Sequence, residues 1–281
     1  LPPFWGAAMR FAAACAVFFV AMAVRKVSWP RGRALVGDLA FGLFTYAAPF
    51  GLFYWGVQNA SPATGGVILA GVPLLTILLA FVHRIEKLTA RGMVGSLLAI
   101  AGFVVVFRDQ LDATVPLSSL LAFTASALAF GESLVVVKWF PQTNPIGKNA
   151  IGMGFGAVLL MLASLLTGEG LSLPERPETW AAVVYLITLG SVGVFTLYLF
   201  VLKTWSASAT AYDGVLIPFV TVVLAAWLLD ERVSPLFAVG GALVLAGAYI
   251  GALSRSRNKP ETADGAATAP PPREVPSEHQ T

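Results

Sequence analysis

Cysteine and histidine are almost missing from this chain. Cys15 is the single cysteine among 281 residues, and His83 and His279 are the two histidines. One thiol permits no disulfide and no cysteine-ligated metal within a chain, and two distant imidazoles form no histidine cluster, so neither a metal nor a cofactor is expected. Charge is scarce as well: Asp, Glu, Lys and Arg make up 12% of residues, against about a quarter in an ordinary soluble chain. No GxxxxGK[ST] phosphate loop occurs, which excludes ATP hydrolysis by this chain as an energy source. The net charge of +3 does not argue for nucleic acid, because the placement of the basic residues has a plainer explanation.

Apolar residues fill the composition that remains. They are 57% of the chain, and they gather into runs of about twenty, the length at which a helix rising 1.5 Å per residue crosses roughly 30 Å of hydrocarbon. Nine runs can be read, at 4–24, 36–57, 62–83, 90–107, 117–139, 146–167, 179–202, 207–229 and 235–253. The connectors between them carry helix-end punctuation, such as SWPRGR at 28–33, PQTNP at 141–145 and LPERPE at 173–178. None could fold as a soluble domain. The segment from 254, SRSRNKPETADGAATAPPPREVPSEHQT, loses all apolar periodicity and reads as a disordered tail. The fold class is therefore an all-α polytopic membrane protein.

Alternating the connectors between two sides puts Arg25, Lys26, Arg31, Arg33, Arg84, Lys87, Arg91, Lys138, Lys148, Lys203, Arg255, Arg257 and Lys259 together, leaving Arg108, Arg176 and Arg232 on the other side. The positive-inside rule makes the first side the cytoplasm. The tail is then cytoplasmic, and a bacterial cytoplasmic (inner) membrane is the expected location. Leu1 falls on the outer face, with neither a signal peptide nor an initiating methionine before it.

A shift of 145 residues explains that start. It brings residues 59–102 onto 204–247 without a gap: Pro73 meets Pro218, Glu86 meets Glu231, Lys87 meets Arg232, Thr89 meets Ser234, Gly95 meets Gly240 and Gly102 meets Gly247. Matched prolines, acid–base pairs and glycines at one offset signal a duplication. Units with an odd number of spans face opposite ways, and charge agrees: the connector at 84–91 is net positive, while its equivalent DER at 230–232 is net negative. Inverted repeats of this kind are a transporter architecture. The second copy has five spans (114–253) and the first has four (1–110). The expectation is nine helices of a ten-helix, five-plus-five fold, with the first helix missing from the sequence.

The motifs PPFWGAAMRF (2–11), FGESLVVVK (130–138), HRIEKLT (83–89), LKTWSASATA (202–211) and LLDERVSP (228–235) resemble, in order and spacing, those of the EamA-type transporters of the drug/metabolite transporter superfamily. The resemblance covers nearly everything up to residue 253. It implies ten helices in two inverted repeats and transport of a small metabolite, with amino-acid exporters as one subgroup. Glu132, where the family usually has a small polar residue, and Asp213 depart from the pattern, so the resemblance assigns them no role.

Those two acids are nonetheless the first candidates. A carboxylate near the bilayer centre costs about 2.5–3.5 kcal/mol even on a lenient scale, so Glu132 inside an apolar run should have a use. It could accept a proton or face a substrate amine; the alternative is a buried, protonated group or one facing cytoplasmic water. Asp213, beside Tyr212 and Gly214 and five residues before Pro218, lies on a Gly/Pro-interrupted span whose partner contains Gly65, Gly66, Gly71 and Pro73. Interrupted spans in corresponding places of two halves point to a midplane binding site; simple packing kinks are the alternative. Arg10 could bind a substrate carboxylate or make a structural pair. Tyr46, Phe50 and Tyr54, with Pro49, recur on one helix face and could stack a flat substrate or fill a core. Glu86 with Lys87, and Glu231 with Arg232, look structural beside the helix starts at Thr89 and Ser234. Gly247 and Gly251 form a GxxxG, with Gly95 and Ala99 as the first-repeat equivalent, and suggest close helix packing within the chain before dimerisation.

The function expected is a secondary carrier of small metabolites, an exporter of amino acids or related compounds, working by alternating access between the repeats and coupled to a proton or substrate gradient. It would act as a monomer or homodimer. The rival is a membrane-embedded enzyme acting on a lipid-like substrate, which would need acids, histidines or cysteines clustered in one place.

Overall fold

The structure is a computed structural model that describes residues 1–108, 114–217, 219 and 235–252. Among these residues every regular element is helical. Pro218, Glu231, Arg232, Ser234 and the tail from 254 lie outside the described residues.

Among the described residues the elements follow eight of the nine apolar runs, the run at 207–229 being described only in part. Helix α1 covers Pro3–Val24. The second run is one span in three parts, α2 (Arg33–Gly42), a π-helical turn (Leu43–Ala47) and α3 (Ala48–Gly56). The third is broken into α4 (Pro62–Leu69) and α5 (Val72–Val82). Then come α6 (Ala90–Phe107), α7 (Leu117–Trp139) and α8 (Pro145–Leu166). The seventh run is α9 (Pro177–Ile187), a second π-helical turn (Thr188–Gly193) and α10 (Val194–Thr204). A short α11 (Ala207–Thr210) is followed by a turn and a helical stretch at 213–217, and α12 covers Pro235–Ala252.

Seven of these spans are long and apolar enough to cross a membrane, and an eighth is added if α4 and α5, bent by 40°, count as one. Apolar side chains such as Val20, Leu97, Leu121, Leu162, Phe200 and Leu245 are exposed around the outside, which hydrocarbon tolerates and water does not. This is a multi-pass membrane protein.

Local chemistry accounts for the helix starts. Ser61, Thr89 and Ser206 each accept a hydrogen bond from the backbone N–H three residues on, at 3.3, 3.2 and 3.2 Å, satisfying a donor the first helical turn leaves unpaired. Glu169 caps α1 from a distance: Trp5 N donates to Oε2 at 2.8 Å and Phe4 N to Oε1 at 3.2 Å, a carboxylate on the positive end of the helix dipole.

Two helix pairs carry the packing, α1 along α8 and α6 along α12. In the second, glycines let the backbones touch. A Cβ built on Gly95 would stand 2.6 Å from Gly247 O, and one on Gly102 2.6 Å from Gly240 O. The GxxxG of α12 is thus spent inside the chain. Tyr212 seals this seam, with its hydroxyl 3.0 Å from Ser96 Oγ and donating to Gly92 O at 3.2 Å.

Positions 145 apart share their local structure. Leu43 and Thr188 open the two π turns, Ser61 and Ser206 are the two serine caps, and residues 90–107 and 235–252 are both helical.

Candidate functional site

A cavity of about 720 Å³ lies where the irregular pieces of the helices meet, within the range of small-molecule sites. The first π turn contributes Thr45, the second Gly190, the α4–α5 bend Leu69 and Ala70, and the break after α11 Ala211 and Gly214. A π turn or a break leaves backbone groups without their usual helical partner, which is tolerated at membrane depth where the chain lines a cavity. The buried Thr45 hydroxyl has no hydrogen-bond partner among the described residues.

Aromatic rings make up much of the wall. Phe50 on α3, Phe130 on α7, and Phe195 and Tyr198 on α10 line it, with Phe50 and Phe130 centred 5.9 Å apart and Phe195 and Tyr198 6.2 Å apart. Tyr198 also lies 3.4 Å from Ser133 Oγ through its hydroxyl. Phe130, Phe195 and Tyr198 escaped the sequence analysis because each stands on a different face or helix from the Tyr46–Phe50–Tyr54 stripe.

Two opposite charges face this apolar space. Arg10, on α1, lines the cavity with its guanidinium carbon 4.4 Å from the Phe11 ring centre and 5.1 Å from that of Phe50. Its Nε is buried without a hydrogen-bond partner among the described residues. Asp213 is exposed at the cavity wall, and its Oδ1 accepts from Gly214 N at 2.5 Å. Among the described residues neither has an oppositely charged side chain at ion-pair distance.

The other sequence candidates are distributed elsewhere. The π turn changes the helical register within the aromatic stripe. Tyr46 is fully buried and donates to Asn149 Oδ1 at 2.9 Å, Phe50 lines the cavity, and Tyr54 lines a smaller cleft of about 240 Å³ that also touches Arg10. Pro49 is buried, its carbonyl accepting from Ser126 Oγ at 2.9 Å. Gly71 and Pro73 form the start of α5, next to the cavity-lining Ala70 and Val72. Tyr212 belongs to the α6–α12 seam.

Glu132 is away from the cavity. Its Oε1 lies 3.3 Å from His83 Nε2, at the end of α5. His83 Nδ1 is 3.0 Å from Leu79 O; a carbonyl can only accept, so Nδ1 carries a hydrogen. Nε2 is the ring nitrogen that faces the carboxyl. The two side chains link the end of α5 to α7. Nearby, Glu86 takes hydrogen bonds from Ser208 N (3.3 Å) and Ser208 Oγ, tying the α5–α6 connector to α11, and Lys138 donates to Leu202 O.

A family profile described as "EamA-like transporter family" matches residues 1–108 and 117–252. The chain is 29% identical over 238 residues to the uncharacterized inner membrane transporter YedA of Escherichia coli, covering 83% of this chain and 76% of that one. It is 25% identical over 241 residues to the "Probable terminal-alkyne amino-acid exporter" of Streptantibioticus cattleyicolor, covering 86% and 81%. A solved crystal structure superimposes with a TM-score of 0.77 over 90% of this chain and 88% of its own, at 23% identity, which speaks for the fold.

Proposed function

The chain belongs to the EamA-like transporter family, and from that premise we propose that it is a secondary carrier that exports amino acids or related small metabolites by alternating access. The observation that carries this reading is the convergence of two π turns and two helix breaks on a single large cavity. Interrupted helices supply hinges and free backbone groups at the place where a substrate must be held and released. The recurrence of local structure at 145 positions supports two related halves that rock about this cavity, with inverted orientation expected from the charge of their connectors. The carrier relative with an amino-acid name supports that substrate class. Glu132 with His83 supplies a proton site for coupling.

Proteoliposomes carrying the protein, preloaded with unlabelled amino acids and exposed to labelled ones, provide the test. Counterflow of at least one amino acid is the expected result. No flux of any metabolite, with product formed from a lipid-like substrate instead, would support the membrane-enzyme alternative.

A further inference from the structure

We propose that the connector between α1 and α2 is a binding site for an anionic phospholipid: Arg25, Lys26, Arg31 and Arg33 hold the headgroup phosphate, and the acyl chains lie along the exposed apolar stripe of α1. None of these four residues lines the cavity, and the site does not depend on the carrier reading.

Uncompensated charge is the first observation. The four cations fall within residues 25–33 and are all exposed. The first acid of the chain is Asp38, and it is buried against Lys148. The neighbouring elements bring no other. Val27 Cγ1 lies 3.6 Å from a Cβ built on Gly147, at the start of α8, and the Arg33 guanidinium carbon is 5.9 Å from the ring centre of Phe140, just after α7. Residues 133–168, which include both contacts, contain no Asp or Glu. Among the described residues none of the four cations has an acidic side chain at ion-pair distance. At the surface of a bilayer the counter-charge at hand is lipid phosphate.

Trp29 sets the depth of the patch. Its ring stacks on that of Phe19, with centres 6.1 Å apart and planes 7° from parallel. Phe19 lies on α1 about 9 Å of helix rise before Arg25, so the connector folds back along the wall of α1 instead of reaching into water. Both rings are exposed, as are Val17, Val20 and Val24 at helical spacing on α1, and a tryptophan in that setting belongs at headgroup level. Lys26 adds a second sign. Its φ is 51°, in a turn that Val27 N closes on Met22 O at 2.9 Å, a position that favours glycine. The same turn at the end of α8 uses Gly168, with φ 71°. A cationic fringe beside an apolar stripe matches an amphiphile with one negative end, whereas a soluble anion would leave the stripe unused.

The test is native mass spectrometry of the purified full chain in detergent, titrated with phosphatidylglycerol or with phosphatidylcholine of the same acyl chains. One phosphatidylglycerol should be retained at about tenfold lower lipid concentration than phosphatidylcholine. The double variant Arg31→Gln/Arg33→Gln should weaken phosphatidylglycerol about fivefold for each cation removed and so erase the preference. Arg31→Lys/Arg33→Lys should keep most of it, and Trp29→Ala should weaken both lipids. Arg84→Gln/Arg91→Gln, on the α5–α6 connector, is the control and should change neither. All variants should remain monodisperse with wild-type melting temperatures. Equal retention of the two lipids by the unaltered chain would overturn the proposal without recourse to any variant. An equal loss in the Arg84/Arg91 control, or displacement of the lipid by inorganic phosphate at the same concentration, would overturn it as well.

Discussion

Lys148 Nζ lies 2.6 Å from Asp38 Oδ1, and neither side chain reaches solvent. The pair joins α2 to α8 beside the contact of Gly42 with Gly152, where a Cβ on Gly42 would stand 2.5 Å from Gly152 O. Thr143 Oγ1 donates to the same Asp38 oxygen at 2.8 Å, while Asp38 Oδ2 is buried without a hydrogen-bond partner among the described residues. Removing one member of such a pair strands a buried charge, at about 3–5 kcal/mol. Lys148→Met and Asp38→Asn should each lower the unfolding midpoint in detergent by a clear margin, and the double variant should stand closer to wild type than their summed losses. Strictly additive losses would mean that the two charges act independently.

The α6–α12 seam makes a steric prediction. Gly95→Val should sharply reduce the yield of folded, monodisperse protein, because its side chain would enter the backbone at Gly247 and Gly251, an overpacking worth at least about 1–3 kcal/mol. Gly66→Ala should fold normally, since a Cβ there meets the Phe103 ring at an ordinary 3.6 Å. Size-exclusion profiles of the two variants decide the matter.

The His83–Glu132 pair should govern the proton dependence of transport. Glu132→Gln should abolish proton-coupled flux or change its pH profile, and His83→Gln should do the same, because each removes one partner of the contact between the ring and the carboxyl. A wild-type rate and pH profile in both variants would make the pair a structural link between α5 and α7.

Inverted halves place equivalent connectors on opposite faces of the membrane. In a Cys15→Ala background, Arg84→Cys should be labelled by an impermeant thiol reagent from the cytoplasmic side and Arg232→Cys from the outside. Labelling of both from one side would rule out the inversion.

Seven of the nine expected spans, or eight counting the bent α4–α5 pair, were legible in the sequence because an apolar run of about twenty residues has few other uses, while the run at 207–229 lies largely outside the described residues; the Gly247/Gly251 pattern announced a close helix contact. The 145-residue offset also showed itself through Pro73, Gly95 and Gly102 and their counterparts. The π turns were not legible: LFTYA and TLGSVG carry no residue that demands a wider turn, and the register change that separates Tyr46 from Phe50 arises from packing. Lys148 read as a connector cation. Its burial depends on Asp38, far away in sequence, and no local pattern reveals such a partner. For the same reason Glu132 and Asp213 were found as costly charges, while their surroundings, a histidine for one and an aromatic cavity shared with Arg10 for the other, required the fold.

Blocking the cavity tests the carrier account most directly. Gly214 lines it, and a Cβ at that position meets nothing within 4 Å, so Gly214→Cys in the Cys15→Ala background should fold and transport. Reaction with a bulky thiol reagent should then reduce amino-acid counterflow in proteoliposomes to background, with substrate slowing the reaction. Undiminished counterflow through fully labelled protein would contradict the account.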